Sequence, residues 1–441
     1  MKHPIIKSVG VAAAVALALS ACSSGGSTTP TSSAAAGATS AAAAAPVTLS
    51  LAGWSLSTTP EFQTLADAFH AAHPNVTVNL KEYDATNYDT QMTADLAAGS
   101  APDLYILKNL KNFFTYQDGG QLMDVSDVAS QLNKSTSGLS AYQVAGKTYA
   151  VPYRQDSWYL YYNKDLFDKA GVSYPDGKWT WDDYAAAAKK LTAGLGGGDV
   201  TGAYEHSWQS TLQGFANAQA PSADILTGKF DYFKSYYDRA VAMQDQGSQP
   251  TFGTVTTNKL TYQGEFGKQK AAMMLMGSWY VATLISQEGT GDADTFNWGI
   301  APAPQFDSST TSMPVTFGDP TGIGINPAID KSKVDAAKQF LAFVGGEDAA
   351  KALAGIGITP AYASSAVTDA YFALKGAPTD ALSKFTFGTH DTKPENPVSK
   401  YTAAMQNVLG DMHTAIMSES STVDAAIADA QKRATNEVLN Q

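Results

Sequence analysis

The chain has 441 residues, 44% of them hydrophobic and 10% aromatic, which is long for one domain and comfortable for two with real cores. Its 29 Lys and Arg stand against 41 Asp and Glu, a net charge of −12, and this balance argues against nucleic acid or anionic headgroups held through a basic face. A single cysteine leaves no intramolecular disulfide, so the fold must rest on its cores.

In chain order, Lys2 and Lys7 precede a short Ala/Val/Leu-rich run, Val9 to Leu19, too short to span a bilayer as a mature helix. Residues 1–21 therefore read as a signal peptide. The closing Leu19-Ser20-Ala21-Cys22 resembles the lipobox of bacterial lipoproteins, in which the thiol takes a diacylglycerol and the chain is cut just before it. That resemblance implies a lipidated, palmitate-bearing Cys22 as first residue, anchored at the outer face of the cell membrane. Without the signal's two lysines the net charge is −14. Residues 22–46 after the cut are almost wholly Ser, Gly, Thr, Ala and Pro without a charge, and so are expected to form a flexible linker. A coil of that kind reaches roughly 25–30 Å.

The body begins with Val47-Thr48-Leu49-Ser50-Leu51 as a strand, left at Ala52-Gly53-Trp54. Thr59 is expected to cap a helix with Pro60 in its first position, its apolar face formed by Phe62, Leu65, Ala66 and Phe69. After His73-Pro74-Asn75, the segment Val76–Leu80 alternates as a second strand. A helix is predicted over Tyr88–Ala98, ending near Gly99, and Pro102–Leu107 reads as a third strand. This alternation predicts a parallel α/β sheet, whose ligands bind beyond the carboxyl ends of the strands. Trp54 and the segment Leu107 to Asn112 fall at such ends.

Further on, Gly146-Lys147-Thr148-Tyr149-Ala150-Val151-Pro152-Tyr153 leads into Leu160-Tyr161-Tyr162-Asn163-Lys164-Asp165-Leu166-Phe167, then Ala170-Gly171, Pro175 and Trp179-Thr180-Trp181. A second stretch runs from Phe266-Gly267-Lys268 to Met273, then Met276-Gly277-Ser278-Trp279. Both segments resemble the family 1 extracellular solute-binding proteins, the receptors of carbohydrate ABC importers that include maltose-binding protein. The resemblance implies a two-lobed α/β fold of the type II periplasmic-binding class, with the ligand in a cleft between lobes joined by hinge crossovers. Carried onto this chain, the N-terminal lobe is expected over 47–153 plus 320–344. The C-terminal lobe is expected over 155–317 plus 346–441. One crossover would run from Tyr149–Tyr153 into Leu160–Tyr162, and another would be Thr316-Phe317-Gly318-Asp319-Pro320, whose Gly and Pro suit a hinge. A helix over about 331–344, with Val334, Lys338, Leu341 and Val344 in register, would return to the first lobe.

A pyranose offers apolar faces to flat rings and a rim of hydroxyls to carboxylates and amides. Trp279 matches the family's stacking tryptophan; otherwise it is a core residue closing Met273–Met276. Asp156, in the first crossover, stands where related receptors often place a ligand-binding acid, or it caps a turn. Trp54 faces either ligand or lobe core, and Asn109 either a hydroxyl or its own turn. Glu205-His206-Ser207-Trp208 resembles a segment that brings an acid and an aromatic to the cleft; Trp208 is the preferred contact, with Glu205 and His206 balanced against a solvated loop. Asp319 is a contact or a turn cap. Tyr362 lies where relatives often carry Arg or Tyr, after a Pro360 that departs from the commoner Pro-x-Arg pattern.

No cofactor and no metal are expected. His70 and His73 lack a third ligand, and Asp292-Ala293-Asp294 lacks a calcium loop's length and closing Glu. Gly194 to Gly198 follows a helix rather than a strand and so reads as its stop. There is no Walker A sequence, so the energy for transport would come from a separate ATPase working with transmembrane permease subunits. The resulting expectation is a monomeric, non-enzymatic carbohydrate receptor, touching the membrane only through its lipid. Two alternatives stay open. One is a receptor for a non-sugar solute, a glycerol phosphodiester held by Arg154 or a polyamine held by aromatic rings and acids. The other is a surface-anchored glycoside hydrolase using two carboxylates about 5–10 Å apart, drawn from Asp156, Glu205 and Asp319.

Overall fold

Alternating apolar residues build the first half of the structure strand by strand. This computed structural model describes residues 45–57 and 59–440; the signal segment, Cys22 and the linker as far as residue 44 lie outside the described residues. Strand β1 (Val47–Trp54) pairs in parallel with β2 (Val76–Tyr83) along its whole length, from Val47 opposite Val76 to Trp54 opposite Tyr83. Helix α1 (Glu61–Ala72) joins them and buries Phe62, Leu65, Ala66 and Phe69. It starts one residue later than expected: Pro60 is its N-cap, Thr59 lies outside it, and no side chain caps it. Helix α2 (Tyr88–Ala98) ends where Gly99 turns to φ +68, a left-handed conformation that costs glycine nothing. It leads to β3 (Leu104–Leu107), which is fully buried and parallel to β1.

A short hairpin, β4 (Gln143–Val144) and β5 (Lys147–Thr148), precedes β6 (Val151–Gln155). Two residues later β7 (Trp158–Asn163) begins in a different sheet. There β7 lies antiparallel between β8 (Met273–Gly277) and β9 (Trp298–Pro302). After β10 (Val315–Phe317) the chain returns as β11 (Pro320–Ile325). That strand enters the first sheet between β3 and β6, antiparallel to both, giving the order β2-β1-β3-β11-β6. A last strand, β12 (Asp391–Lys393), runs parallel to β10.

Two hydrophobic cores result, and they define a two-lobed α/β fold. One gathers β1, β2, β3, β6 and β11 with Phe62, Phe69, Phe340 and Leu341. The other gathers β7, β8 and β9 with the helices after Thr180, including Met405, Leu409, Ile416 and Ile427 of the C-terminal helices Thr402–Met417 and Val423–Arg433. Thr180 caps its helix (Trp181–Gly194) in a reciprocal box with Asp183.

The chain passes between the cores at Asp156-Ser157 and at Gly318-Asp319. These passages touch: a side chain on Gly318 would put its first carbon 2.1 Å from the Asp156 carbonyl oxygen, so only glycine fits. A third passage follows the helix Glu347–Ala354, which buries Ala349 and Leu353 in the first core and Ala350 and Ala354 in the second. The strip after it lies along β6, with Gln155 N donating to Thr359 O and Ala361 N to Tyr153 O. The preceding helix, Val334–Val344, turns inward a wider face than expected, with Leu341 and Val344 buried and Val334 packed on the core as expected. Ala336, Ala337, Phe340, Leu341 and Val344 are buried, and Lys338 reaches out to Asp127 at 2.6 Å.

Candidate functional site

The carboxyl ends of β1 and β3, the first passage and the end of β8 converge at the junction of the lobes. On the first lobe Trp54 is half-buried, edge-on to Phe62 at 4.9 Å and to Tyr88 at 5.1 Å. Lys108, just past β3, holds its ammonium 4.6 Å from the Trp54 ring centre and donates to Ala85 O at 2.6 Å. Burial pulls the Lys108 pKa down, and the nearby Arg154 charge adds to that.

Arg154, at the end of β6, is the centre of the junction. Its Nη1 donates to both oxygens of Glu61, at 2.8 and 2.7 Å, and its Nε lies 2.8 Å from Asp156 Oδ2. Tyr153 Oη donates to the same Glu61 carboxylate at 2.5 Å, and Arg154 Nη2 reaches Thr321 Oγ1 at 3.4 Å. The three charged residues are 8%, 1% and 4% exposed in the order Arg154, Glu61, Asp156. Burial raises both carboxyls above their ordinary values, and Arg154 opposes it. Burial alone would depress the guanidinium, but Asp156 and Glu61 together hold it above its usual range. The other oxygen of Asp156 accepts from Ser278 Oγ at 2.8 Å.

On the second lobe Trp279 follows β8, half-buried and edge-on to Trp158 at 5.6 Å. Its six-membered ring lies over Gly277, where a Cβ would come 1.9 Å from ring atom Cζ3. Tyr262 is its neighbour: burial raises the phenol, while a hydrogen bond from Trp279 and the Arg154 charge oppose it. Tyr262 also stands 5.8 Å from Trp208, which is 42% exposed, and 5.5 Å from His206.

The remaining sequence candidates separate. His206 is no solvated loop residue: Tyr204 Oη lies 2.8 Å from its Nδ1, and burial pulls it down to about 4, so the ring is neutral at pH 7. Burial pushes Glu205 up to about 7 against the pull of Arg239, and Thr211 lies at 3.5 Å from its carboxylate. Asn109 accepts from Lys111 N at 3.0 Å, closing its own turn. Asp319 is buried, with Oδ1 accepting from Glu395 N and Asn396 N and Oδ2 from Leu110 N and Asn396 Nδ2. A carboxylate has about four lone-pair positions, so none is left for a ligand here. Tyr362 is half-buried, bridges to Thr136 and packs on the second core. The structure therefore brings Trp54, Asp156, Trp208 and Trp279 to one junction, fills Asp319 with local donors, closes a turn with Asn109 Oδ1, and places Tyr362 between Thr136 and the second core. Among the described residues no three metal-ligating side chains come together.

A model of the bacterial extracellular solute-binding proteins matches residues 55–351, two thirds of the chain, with every strand of the second sheet and all of the first sheet except β1. The chain belongs to that family. Among solved structures, this solute-binding protein is similar to a sugar transporter of Rhizobium etli in an open conformation, at 28% identity, covering 88% of this chain and 99% of that one with a TM-score of 0.74. Among curated proteins it is 27% identical over 276 residues to a putative binding protein of Brucella abortus (strain 2308), over 58% of this chain and 63% of that one. The chain thus spans less than two thirds of that relative. It is 23% identical over 342 residues to the melibiose/raffinose/stachyose-binding protein MelE of Bacillus subtilis (strain 168), covering 72% and 75%. Each of these is described as a binding or transport protein rather than an enzyme.

Three residues of the solute-binding protein's junction escape sequence reasoning, Glu61, Tyr262 and Ser278, while Lys108 falls inside the expected segment Leu107 to Asn112 without being singled out there. Glu61 after Pro60 has the look of an ordinary first-turn acid, and nothing local signals that it pairs with a residue 93 positions away. Gly277 and Ser278 lie in the stretch Met276-Gly277-Ser278-Trp279, yet only the ring lying over the glycine explains the spacing. Tyr262 precedes its motif by four residues and carries no signal of its own.

Proposed function

We propose that this chain is the lipid-anchored, extracytoplasmic receptor of an ABC importer. It captures a sugar or oligosaccharide by closure of its lobes and delivers it, as a monomer, to transmembrane permease subunits served by a separate ATPase. The observation that carries the reading is the set of rings at the junction, Trp54 from one lobe and Trp279, Tyr262 and Trp208 from the other, which suits the C–H faces of pyranoses. A ligand touching both lobes favours the closed state, which is the thermodynamic requirement for capture.

The arginine inventory supports a neutral ligand over a phosphodiester. The chain has three arginines. Arg154 is consumed by Glu61 and Asp156, Arg239 is packed over Trp181 at 4.3 Å, and Arg433 pairs with Asp411 and Glu437. Arg239 keeps Nη2 without a hydrogen-bond partner but is packed over Trp181, and the cation that stays beside Trp54 is Lys108, so what the junction lacks is a free guanidinium fork.

A thermal-shift screen with raffinose, maltotriose, chitobiose, glycerophosphocholine and spermidine tests this. A ligand at 100 times its dissociation constant stabilises by about 2.7 kcal/mol. At least one carbohydrate is expected to raise the melting temperature, and Trp279→Ala is expected to weaken it by about 2 kcal/mol, roughly thirtyfold. Glycerophosphocholine or spermidine alone shifting the melt would overturn the sugar reading. So would a Trp279→Ala protein that melts far lower yet binds normally. For the anchor, Cys22→Ser is expected to release the protein from membranes while its affinity stays unchanged; retention in the membrane fraction would refute lipidation there.

A further inference from the structure

The segment that presents Trp279 is fixed by the first passage between the lobes. Ser278 N donates to Ser157 O at 2.8 Å, Ser157 N reaches Ser278 Oγ at 3.4 Å, and Ser278 Oγ donates to Asp156 Oδ1 at 2.8 Å. Ser278 has no exposed surface, so it can touch no ligand. The Trp279 ring is folded back over Gly277, meets the edge of Trp158 and hydrogen-bonds Tyr262, and the backbone that carries it is set at Ser278. Asp156 in turn has a partner on each oxygen and is nearly buried: Oδ1 takes the serine, and Oδ2 lies against Arg154 Nε. Arg154 is held by Glu61, which belongs to α1 of the other lobe.

We propose that Asp156 is a positioning residue for Trp279, acting through Ser278, and that Glu61 and Arg154 hold it in that role from the first lobe. This rests on the reading of Trp279 as a ligand-facing ring, and it replaces a direct contact between Asp156 and sugar hydroxyls. The chain of contacts Glu61–Arg154–Asp156–Ser278 then ties the direction of a binding ring in one lobe to the first turn of a helix in the other. A buried carboxylate in such a chain stays ionised only while its partners stay in place, which gives the arrangement a unique geometry.

The test uses the full body of the protein labelled with 5-fluorotryptophan and free of ligand. The Trp279 fluorine resonance is assigned by its disappearance in Trp279→Phe. In Ser278→Ala and in Asp156→Asn it is expected to move by more than its linewidth, while the resonances of Trp181 and Trp298, deep in the second lobe, stay put and report a folded core. Glu61→Gln is expected to move it in the same direction from the far end of the chain. A Trp279 resonance unmoved in both Ser278→Ala and Asp156→Asn, with the other resonances intact, overturns the proposal. In a raffinose titration, a contact role for Asp156 would show as loss of affinity in Asp156→Asn with none in Ser278→Ala. Failure of every carbohydrate to bind the unaltered protein would instead sink the sugar reading and leave the fluorine result standing.

Discussion

Arg154→Met is expected to cost the ligand-free protein about 3–5 kcal/mol, because it strands two buried carboxylates at once. Methionine fills much of the arginine's volume, so packing loss is not the main effect. Glu61 loses both of its guanidinium hydrogen bonds, and Asp156 loses the cation at 2.8 Å. The deficit is expected to depend on pH with a definite sign. Both carboxyls already sit above their ordinary values in the folded protein, chiefly through burial, and Arg154 is what opposes the rise. Without it they rise further. A group whose folded value exceeds its unfolded one favours folding at low pH and loses that contribution as pH climbs through the folded value. The gap between variant and parent should therefore be smallest near the ordinary carboxylate range, about pH 4, and widen toward neutrality. Urea unfolding of both proteins at pH 4.5, 6 and 7.5 measures it. A gap that is constant across that range, or below about 1 kcal/mol throughout, would mean that the cluster is not energetically coupled.

Asp319→Ala should be nearly as damaging. The carboxylate satisfies the N–H groups of Leu110, Glu395 and Asn396 and the side-chain amide of Asn396, at 2.7 to 3.1 Å. An orphaned buried donor costs about 1–3 kcal/mol, and even with water relieving some of them the loss should reach about 3 kcal/mol. A second signature separates this from a generic cavity. Burial pushes Glu395 up to about 7, and the Asp319 charge contributes to that rise. Removing Asp319 should move the Glu395 titration downward. Carbon-detected carboxyl titration of both proteins reads it directly; an unmoved midpoint would show that the two carboxylates do not sense each other.

The first half of the sheet was legible because its signals are local. Alternation in Val47–Leu51 and Val76–Leu80, and Gly99 closing α2, are decided by residues near one another. The two passages, at Asp156 and at Gly318-Asp319, came from the family resemblance laid onto the chain, since nothing in the residue pattern alone marks the lobes. What failed depended on distant partners. Thr59 looked like a cap, but the helix starts after Pro60 and its first residue turns inward to Arg154. In the 334–344 helix Val334, Leu341 and Val344 meet the core as expected, but Lys338 turns to Asp127, and Ala336 and Ala337, too small to mark a stripe, share the buried face with Phe340. Asp156 and Asp319 were both legible as special acids in the right places. Whether such an acid faces a ligand or backbone donors is written in Ser278, Leu110 and Asn396, which no spacing rule connects to them.

Strand β11 carries a consequence for how the protein is made. It fills the slot between β3 and β6, yet it is translated only after most of the second lobe. Until residue 325 has reached the compartment where the chain folds, β3 has one bare edge and β6 has no neighbour in the sheet at all, the situation in which a strand recruits other chains. Delivery of the chain from its N-terminus therefore cannot finish the first lobe before most of the second is present, and long-range closure of this kind is slow. Nor can the molecule be halved by a single cut. A fragment ending before Pro320 would display the β3 edge permanently, whereas a permuted chain that places 320–344 directly after 155 would let the first sheet close early.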